Sequence, residues 1–407
     1  MSYLDEMPDF VENPGAEQFS SAKAIGHFLA SEMKRDPHLY LFSPDETTSN
    51  KLDETYGVSK RLWDLPEEIW DLPEAKNGRI VELLSENTLF AMMVGHVLGS
   101  KEQAFMTSYE SFFQIISSQI VQHLKFLKQV EEAEWRKDEN GNPELFPAIN
   151  LLSTSTCWRQ DHNGFSHQSP ALISTLLSIP NPRVNCLFPI DDVASAAAFD
   201  FMLESRNVVN LATFNKTDEP RFIDKNHALF QLQNGGASVF SFASNCPMEE
   251  EPDYVFTAAG DIVSREAINA VKILNEDLPE IKIRFVNIAA LSYNAIGTTK
   301  NRLSNELFDQ YFGKHCAIIA NFHGYPETLK NILKNYADPI RIRAHGFMEQ
   351  GSTTTPFEML SLNQTSRFDL ALEVARDQNR EDLVAKYEGL LKLNHEHALE
   401  LGMDLLL

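Results

Sequence analysis

No apolar run in this chain approaches the roughly 18 residues that a membrane-spanning helix requires, so no membrane partner is expected. The amino terminus, Met1-Ser2-Tyr3-Leu4-Asp5-Glu6, has neither the basic stretch nor the apolar stretch of a secretory leader. Export is therefore unsupported, and the cytoplasm is the expected location. Cysteine is scarce: Cys157, Cys186, Cys246 and Cys316 stand apart with no C-x-x-C spacing. That pattern argues against a zinc knuckle, a redox pair or a disulfide framework, and for buried free thiols. Positive charge is short as well. Lys and Arg number 35 against 58 Asp and Glu, a formal charge of -23, so the average surface repels a polyanion and nucleic acid is not an expected partner. An anionic substrate would have to be caught by a local basic pocket. Internal repeats, low-complexity tracts, a phosphate-binding glycine loop and a Ser-His-Asp spacing are all missing.

What is present is an ordinary globular composition, 43% hydrophobic and 23% charged over 407 residues, enough for two or three domains with their own cores. Ala22, Ile25, Leu29 and Met33 recur at helical spacing and predict a helix over residues 17–34. Leu39–Phe42 reads as a strand, and so does Arg79–Leu84 beyond Pro66 and Pro73; the polar turn Ser85-Glu86-Asn87-Thr88 then opens a helix to about Leu98. Phe113, Ile116, Ile120, Leu124 and Leu127 form the clearest apolar stripe. From Ile149 onward, strand-like runs alternate with helical ones, and after the proline- and acid-rich stretch 245–253 the alternation restarts at Tyr254–Ala259, with a helix from Ser264. The charged tail from Arg380 reads as a helix. This alternation predicts an α/β fold: two consecutive three-layer α/β/α units with mostly parallel sheets.

The densest chemistry lies just after a buried-looking strand, in Trp158-Arg159-Gln160-Asp161-His162-Asn163-Gly164-Phe165-Ser166-His167-Gln168. Ligands of parallel sheets bind beyond the carboxyl ends of strands, and a loop with these side chains can hold anions and move protons. A solvated polar loop is the alternative reading. His395-Glu396-His397 places its histidines at i and i+2, on different helix faces, so a solvated helix is preferred to a metal site. Asp191-Asp192 reads as a helix start.

The Trp158–Gln168 run resembles the signature of the phosphoketolase family. Other segments resemble the same family in the same order: Phe42-Ser43-Pro44-Asp45-Glu46-Thr47-Thr48-Ser49-Asn50-Lys51, Leu84-Ser85-Glu86, Ser108-Tyr109-Glu110-Ser111-Phe112, and Glu349-Gln350-Gly351-Ser352-Thr353-Thr354-Thr355-Pro356-Phe357. That family is similar to the transketolases, whose successive domains bind the diphosphate and metal of thiamine diphosphate, bind its aminopyrimidine, and assist assembly. The resemblance implies a connecting segment over 1–40, a pyrimidine-binding domain over 41–222 and a C-terminal domain over 223–407. It implies no diphosphate-binding domain, because no Gly-Asp-Gly or Gly-Glu-Gly turn occurs; Gly260-Asp261-Ile262 lacks the closing glycine. Magnesium is then expected from the missing domain, and no residue here is assigned to metal.

The same resemblance implies roles. Glu86 would be the carboxylate beside the pyrimidine nitrogen, Phe112 would stack on the ring, and Tyr109 would line the cofactor side of the site. Ser49, Lys51, His162 and Lys216 would clamp the sugar phosphate, with His162, Asn163 and His167 as catalytic groups near the reacting carbons. Taken alone, the lysines would pass for surface charges, Phe112 for a core residue and Glu86 for a helix-start charge. The implied reaction is phosphorolytic cleavage of xylulose 5-phosphate or fructose 6-phosphate to acetyl phosphate and a shorter aldose phosphate. It would proceed in a homodimer or hetero-oligomer that supplies a diphosphate-binding domain, and the chain alone is expected to be inactive. Three departures stand out: Lys51 replaces an arginine and loses its planar fork, Asn87 replaces a histidine, and Gly99-Ser100-Lys101-Glu102 replaces a segment that carries arginine. The last of these favours an alternative, a non-catalytic sugar-phosphate-binding or regulatory protein of the same fold.

Overall fold

The computed structural model describes residues 2–66, 68–70, 74–351 and 353–405; Pro73 and Ser352, used above, lie outside them. The chain folds as two compact units. The first comprises residues 1–155 and 179–229, and the second comprises 156–178 and 230–407.

The core of the first unit is a parallel sheet of β1 (Tyr40–Ser43), β2 (Ile80–Glu82), β3 (Ala104–Tyr109), β4 (Ile149–Thr154), β5 (Val184–Leu187) and β6 (Val209–Thr213), in the order β5-β6-β4-β3-β1-β2. β1 through β6 are buried almost throughout, as expected when helices cover both faces of a parallel sheet. Register is fixed by an asparagine ladder. Asn185 donates to Asn210 at 2.8 Å and Asn210 to Asn150 at 2.9 Å, all three fully buried; a one-residue slip would strand these amides in apolar surroundings. An aromatic cluster locks the amino-terminal segment to the sheet. Phe199 stacks on Phe105 at 5.1 Å and meets Tyr3 edge-on at 5.1 Å, while Tyr3 also lies 5.1 Å from Phe28. Helix Ser21–Arg35, with Ser20 as N-cap, belongs to this unit.

The second unit holds β7 (Ala237–Val239), β8 (Tyr254–Ala259), β9 (Ile283–Ile288), β10 (Ala317–Phe322) and β11 (Ile342–His345), in the order β7-β9-β8-β10-β11, parallel except for β7. Stretch 245–253 lies inside this unit, where the buried Arg284 guanidinium donates to the carbonyls of Pro247 and Glu250 at 2.6 Å. The α/β class with mostly parallel sheets is as the sequence predicts.

Several local expectations are corrected. β3 was hidden in sequence, because Ala104–Tyr109 runs directly into the helical stripe that starts at Glu110. The strand expected to reach Leu84 stops at Glu82, and Leu83 and Leu84 are exposed in the turn before the next helix. The helix expected from Ser264 begins at Asp261, because Gly260 takes φ 120 and turns the chain straight into it.

Candidate functional site

The six core strands of the first unit run the same way, so their carboxyl ends share one edge, and the segments leaving that edge carry most of the candidate residues. β1 ends at Ser43 and feeds the turn that bears Ser49 and Lys51. β2 leads through Ser85, which caps helix Glu86–Ser100, and so puts Glu86 in the first turn of that helix. β3 ends in Ser108 and Tyr109, and β6 leads through Asn215 to Lys216.

The dipeptide Ser108-Tyr109 is the hub of this edge. The Ser108 hydroxyl donates to Glu86 Oε1 at 3.3 Å. The Tyr109 N–H donates to Glu46 Oε2 at 2.9 Å, and the Tyr109 ring stacks on Phe112 at 5.9 Å with the planes 12° apart. Lys216 Nζ stands 5.0 Å from the centroid of the same tyrosine ring, a cation–π distance. Glu86 and Phe112, with Ser111 and Ile115, line an open cleft of about 440 Å³.

Helix Ser21–Arg35 braces both lysines. Its N-cap Ser20 donates to the Lys216 carbonyl at 3.0 Å. Further along, Gly26 lies so close to the 45–51 turn that an added Cβ would sit 2.5 Å from the Lys51 carbonyl oxygen. Lys51 itself holds a left-handed φ of 63, and Ser49 Oγ donates to the Glu46 carbonyl at 3.1 Å.

Two charged groups are tuned by these surroundings. Burial first, and then the charge of Glu86, push the Glu46 carboxyl up to about 8, against the pull of the Tyr109 N–H, the Asn50 amide and Lys216. Burial, and then the neighbouring Lys51 charge, lower the Lys216 ammonium. Glu46 was not assigned a role from sequence although it sits within a quoted motif. The available signal was an acid flanked by Pro44, Thr47 and Thr48 next to a strand end, and only the fold shows that its carboxyl turns inward.

The remaining candidates, His162, Asn163 and His167, belong to the second unit, whereas Ser49, Lys51, Glu86, Tyr109, Phe112 and Lys216 belong to the first. In the second unit the polar loop is a built structure. Trp158 is buried and donates from Nε1 to the His323 carbonyl at 2.9 Å. Gln168 closes the loop by donating to the Gln160 carbonyl at 3.0 Å, and Asn163 donates to Gln160 Oε1 at 2.5 Å. His162 and Asn163 are exposed; His167, half-buried, pairs with Ser166 Oγ at 2.9 Å. The loop packs on the last of the quoted motifs: Thr354 N donates to the Asp161 carbonyl at 3.2 Å, and a Cβ on Gly164 would approach Thr353 Oγ1 to 2.9 Å. Burial raises the Asp161 carboxyl.

The altered segment Gly99–Glu102 sits at the other end of the helix that Glu86 opens, about 20 Å away for its 15 residues. There Lys101 pairs with Glu144 at 2.5 Å and Glu102 with His38 at 3.0 Å. His395 and His397 bind different partners, Glu358 at 2.7 Å and the Met403 carbonyl at 2.8 Å. Asp191 caps its helix through Ala194 N at 2.8 Å, as the sequence predicts.

Residues 23–205 match the family model described as D-xylulose 5-phosphate/D-fructose 6-phosphate phosphoketolase, and residues 216–405 match that of the XFP C-terminal domain. The chain belongs to the phosphoketolase family. A probable phosphoketolase of Methylococcus capsulatus is 35% identical over 369 residues, which is 89% of this chain and 44% of the relative. One from Thermosynechococcus vestitus is 33% identical over 416 residues, 98% of this chain and 50% of the relative. This phosphoketolase-family chain thus spans about half the length of the curated relatives it matches. Among solved structures, a Pichia stipitis transketolase complex with sedoheptulose-7-phosphate superposes with a TM-score of 0.65 at 15% identity, over 96% of this chain and 49% of that one. A split gene transketolase, described as an inactive beta4 tetramer, matches with a TM-score of 0.58 at 15% identity, over 88% of this chain and 98% of that one. These likenesses establish a transketolase-like fold. Among the described residues, no helix is long and apolar enough to cross a membrane.

Proposed function

We propose that this chain supplies the aminopyrimidine-binding and C-terminal domains of a thiamine-diphosphate-dependent phosphoketolase. The diphosphate- and magnesium-binding domain comes from elsewhere in a longer protein or from a separate subunit. The observation that carries this reading is the cleft lined by Glu86, Ser111, Phe112 and Ile115. Its residues fit an aminopyrimidine: Phe112 and Ile115 offer apolar surface to a ring, and Glu86 is a carboxyl that can exchange a proton with a ring nitrogen. When bound, thiamine diphosphate supplies the electron sink for carbon–carbon cleavage.

The chain's own residues divide the remaining work. Ser108 donates to Glu86 and fixes the oxygen that holds or releases the proton. Tyr109 and Phe112 form a stacked wall. Ser49, Lys51 and Lys216 attract the phosphate of the sugar, while His162, Asn163 and His167 serve the sugar oxygens, imidazole being suited to proton transfer near neutral pH. The proposed reaction converts xylulose 5-phosphate or fructose 6-phosphate with inorganic phosphate to acetyl phosphate and an aldose phosphate, in an oligomer located in the cytoplasm.

Two comparisons support the division of labour: the relatives are about twice as long, and a split gene transketolase chain is matched over 98% of its own length. The altered Gly99–Glu102 segment favours the non-catalytic alternative, but it lies a helix length from Glu86, so the catalytic reading is preferred. The test is reconstitution: the purified chain with thiamine diphosphate, magnesium, xylulose 5-phosphate and phosphate, with and without the diphosphate-binding domain of a relative. Acetyl phosphate is expected only in the mixture. Sugar-phosphate binding with no turnover in any mixture would instead support the binding protein.

A further inference from the structure

Glu46 is a carboxyl that the proposed mechanism leaves unused, yet it stands at the centre of the charged edge. It begins the turn that carries the clamp: its carbonyl accepts from Asn50 N at 2.9 Å and from Ser49 Oγ at 3.1 Å. Its side chain crosses to β3, where Oε2 accepts the Tyr109 N–H at 2.9 Å. The two charged groups that act on it, Glu86 and Lys216, reach the same dipeptide hub. Glu86, from the start of its helix, bonds Ser108; Lys216, from the β6 turn, stands over the Tyr109 ring; Lys51, on Glu46's own turn, acts on Lys216. Two acids and two cations therefore gather along this edge, with Glu46 and Lys216 partly withdrawn from water and Lys51 exposed.

We propose that Glu46 is a positioning residue that couples anion capture by Lys51 and Lys216 to the uptake of one proton. An anion that enters between the lysines brings negative charge toward Glu46, and that charge is accommodated when a proton from solvent is taken up. The proton goes to Oε1, because Oε2 already accepts from the Tyr109 N–H. The neutral carboxyl keeps that backbone bond, so the turn bearing Ser49 and Lys51 stays in place while the repulsion is removed. Glu46, with its carboxyl raised to about 8, titrates where such an exchange is available near neutral pH. Above that range the ionised Glu46 opposes the anion, and affinity declines with pH by up to about tenfold per unit.

The inference rests on the phosphate-clamp part of the proposed function and is tested without turnover. Sulfate, which does not titrate near neutrality, is the probe. Its binding to the full chain is measured by calorimetry in buffers of different ionisation enthalpy. Near pH 8, where Glu46 is about half protonated before sulfate arrives, the wild type is expected to take up as much as about half a proton per sulfate, rising toward about one near about pH 9 and vanishing near about pH 6, where Glu46 is already neutral. Glu46→Gln is expected to bind sulfate with no proton uptake. Lys216→Arg, which keeps a cation that does not titrate in this range, is expected to retain uptake. Uptake that persists in Glu46→Gln, or is lost in Lys216→Arg, overturns the proposal, and so does wild-type binding without proton exchange. Absence of sulfate and sugar-phosphate binding altogether overturns the clamp reading itself, a distinguishable result.

Discussion

Glu86 and the two lysines owe their positions to backbone: a helix start, a strand end and two turns braced by one helix. Substituting Glu86→Gln preserves shape and the Ser108 contact but removes the titrating group, so in the reconstituted enzyme acetyl phosphate formation should fall by about 100-fold or more, with a much smaller change in KM. Gly26→Ala tests the bracing. An added methyl would meet the Lys51 carbonyl at 2.5 Å, so the turn must shift, and loss of one charge-assisted contact should weaken sulfate binding by roughly tenfold with helix content unchanged by circular dichroism. Glycine is unfavourable inside a helix, and at Gly26 the reason for it is a close approach that only the fold creates. The family likeness singles out Glu86 and Phe112, which line one cleft, whereas the partial burial of the Glu46 carboxyl cannot be read from spacing.

At the scale of elements, the sheets were legible wherever an apolar run was bounded by turn residues. Ile149–Thr154 and Tyr254–Ala259 coincide with the predicted strands, while β3 was lost because no turn separates it from the following helical stripe. That stripe carries His123, buried in helix Ser117–Glu132, and burial pulls its ring down to about 4. The folded pKa lies below the unfolded value of about 6.5, so the stabilising contribution is complete above about 6.5 and is lost as pH falls toward 4. His123→Leu should therefore flatten the dependence of the urea midpoint on pH across that window; an unchanged dependence would show that His123 is already charged in the native state. Phe199, fully buried against Phe105 and Tyr3, joins the amino-terminal segment to the sheet. Phe199→Ala should cost about 3–5 kcal/mol by chemical denaturation.

At the scale of the whole molecule, a net charge of -23 opposes a polyanion, so under the proposed function a small phosphate would be caught by the few braced cations. The proposed function makes one physical claim: this chain would hold the ring end of thiamine diphosphate and leave the diphosphate and magnesium to another domain. The most direct measurement is a titration of the chain alone with thiamine diphosphate, with and without magnesium, followed by calorimetry. The account predicts weak binding that is indifferent to magnesium and is lost in a variant that fills the Glu86 cleft, with magnesium-dependent tight binding only after a diphosphate-binding domain is added. Tight, magnesium-dependent binding by the chain alone would contradict it.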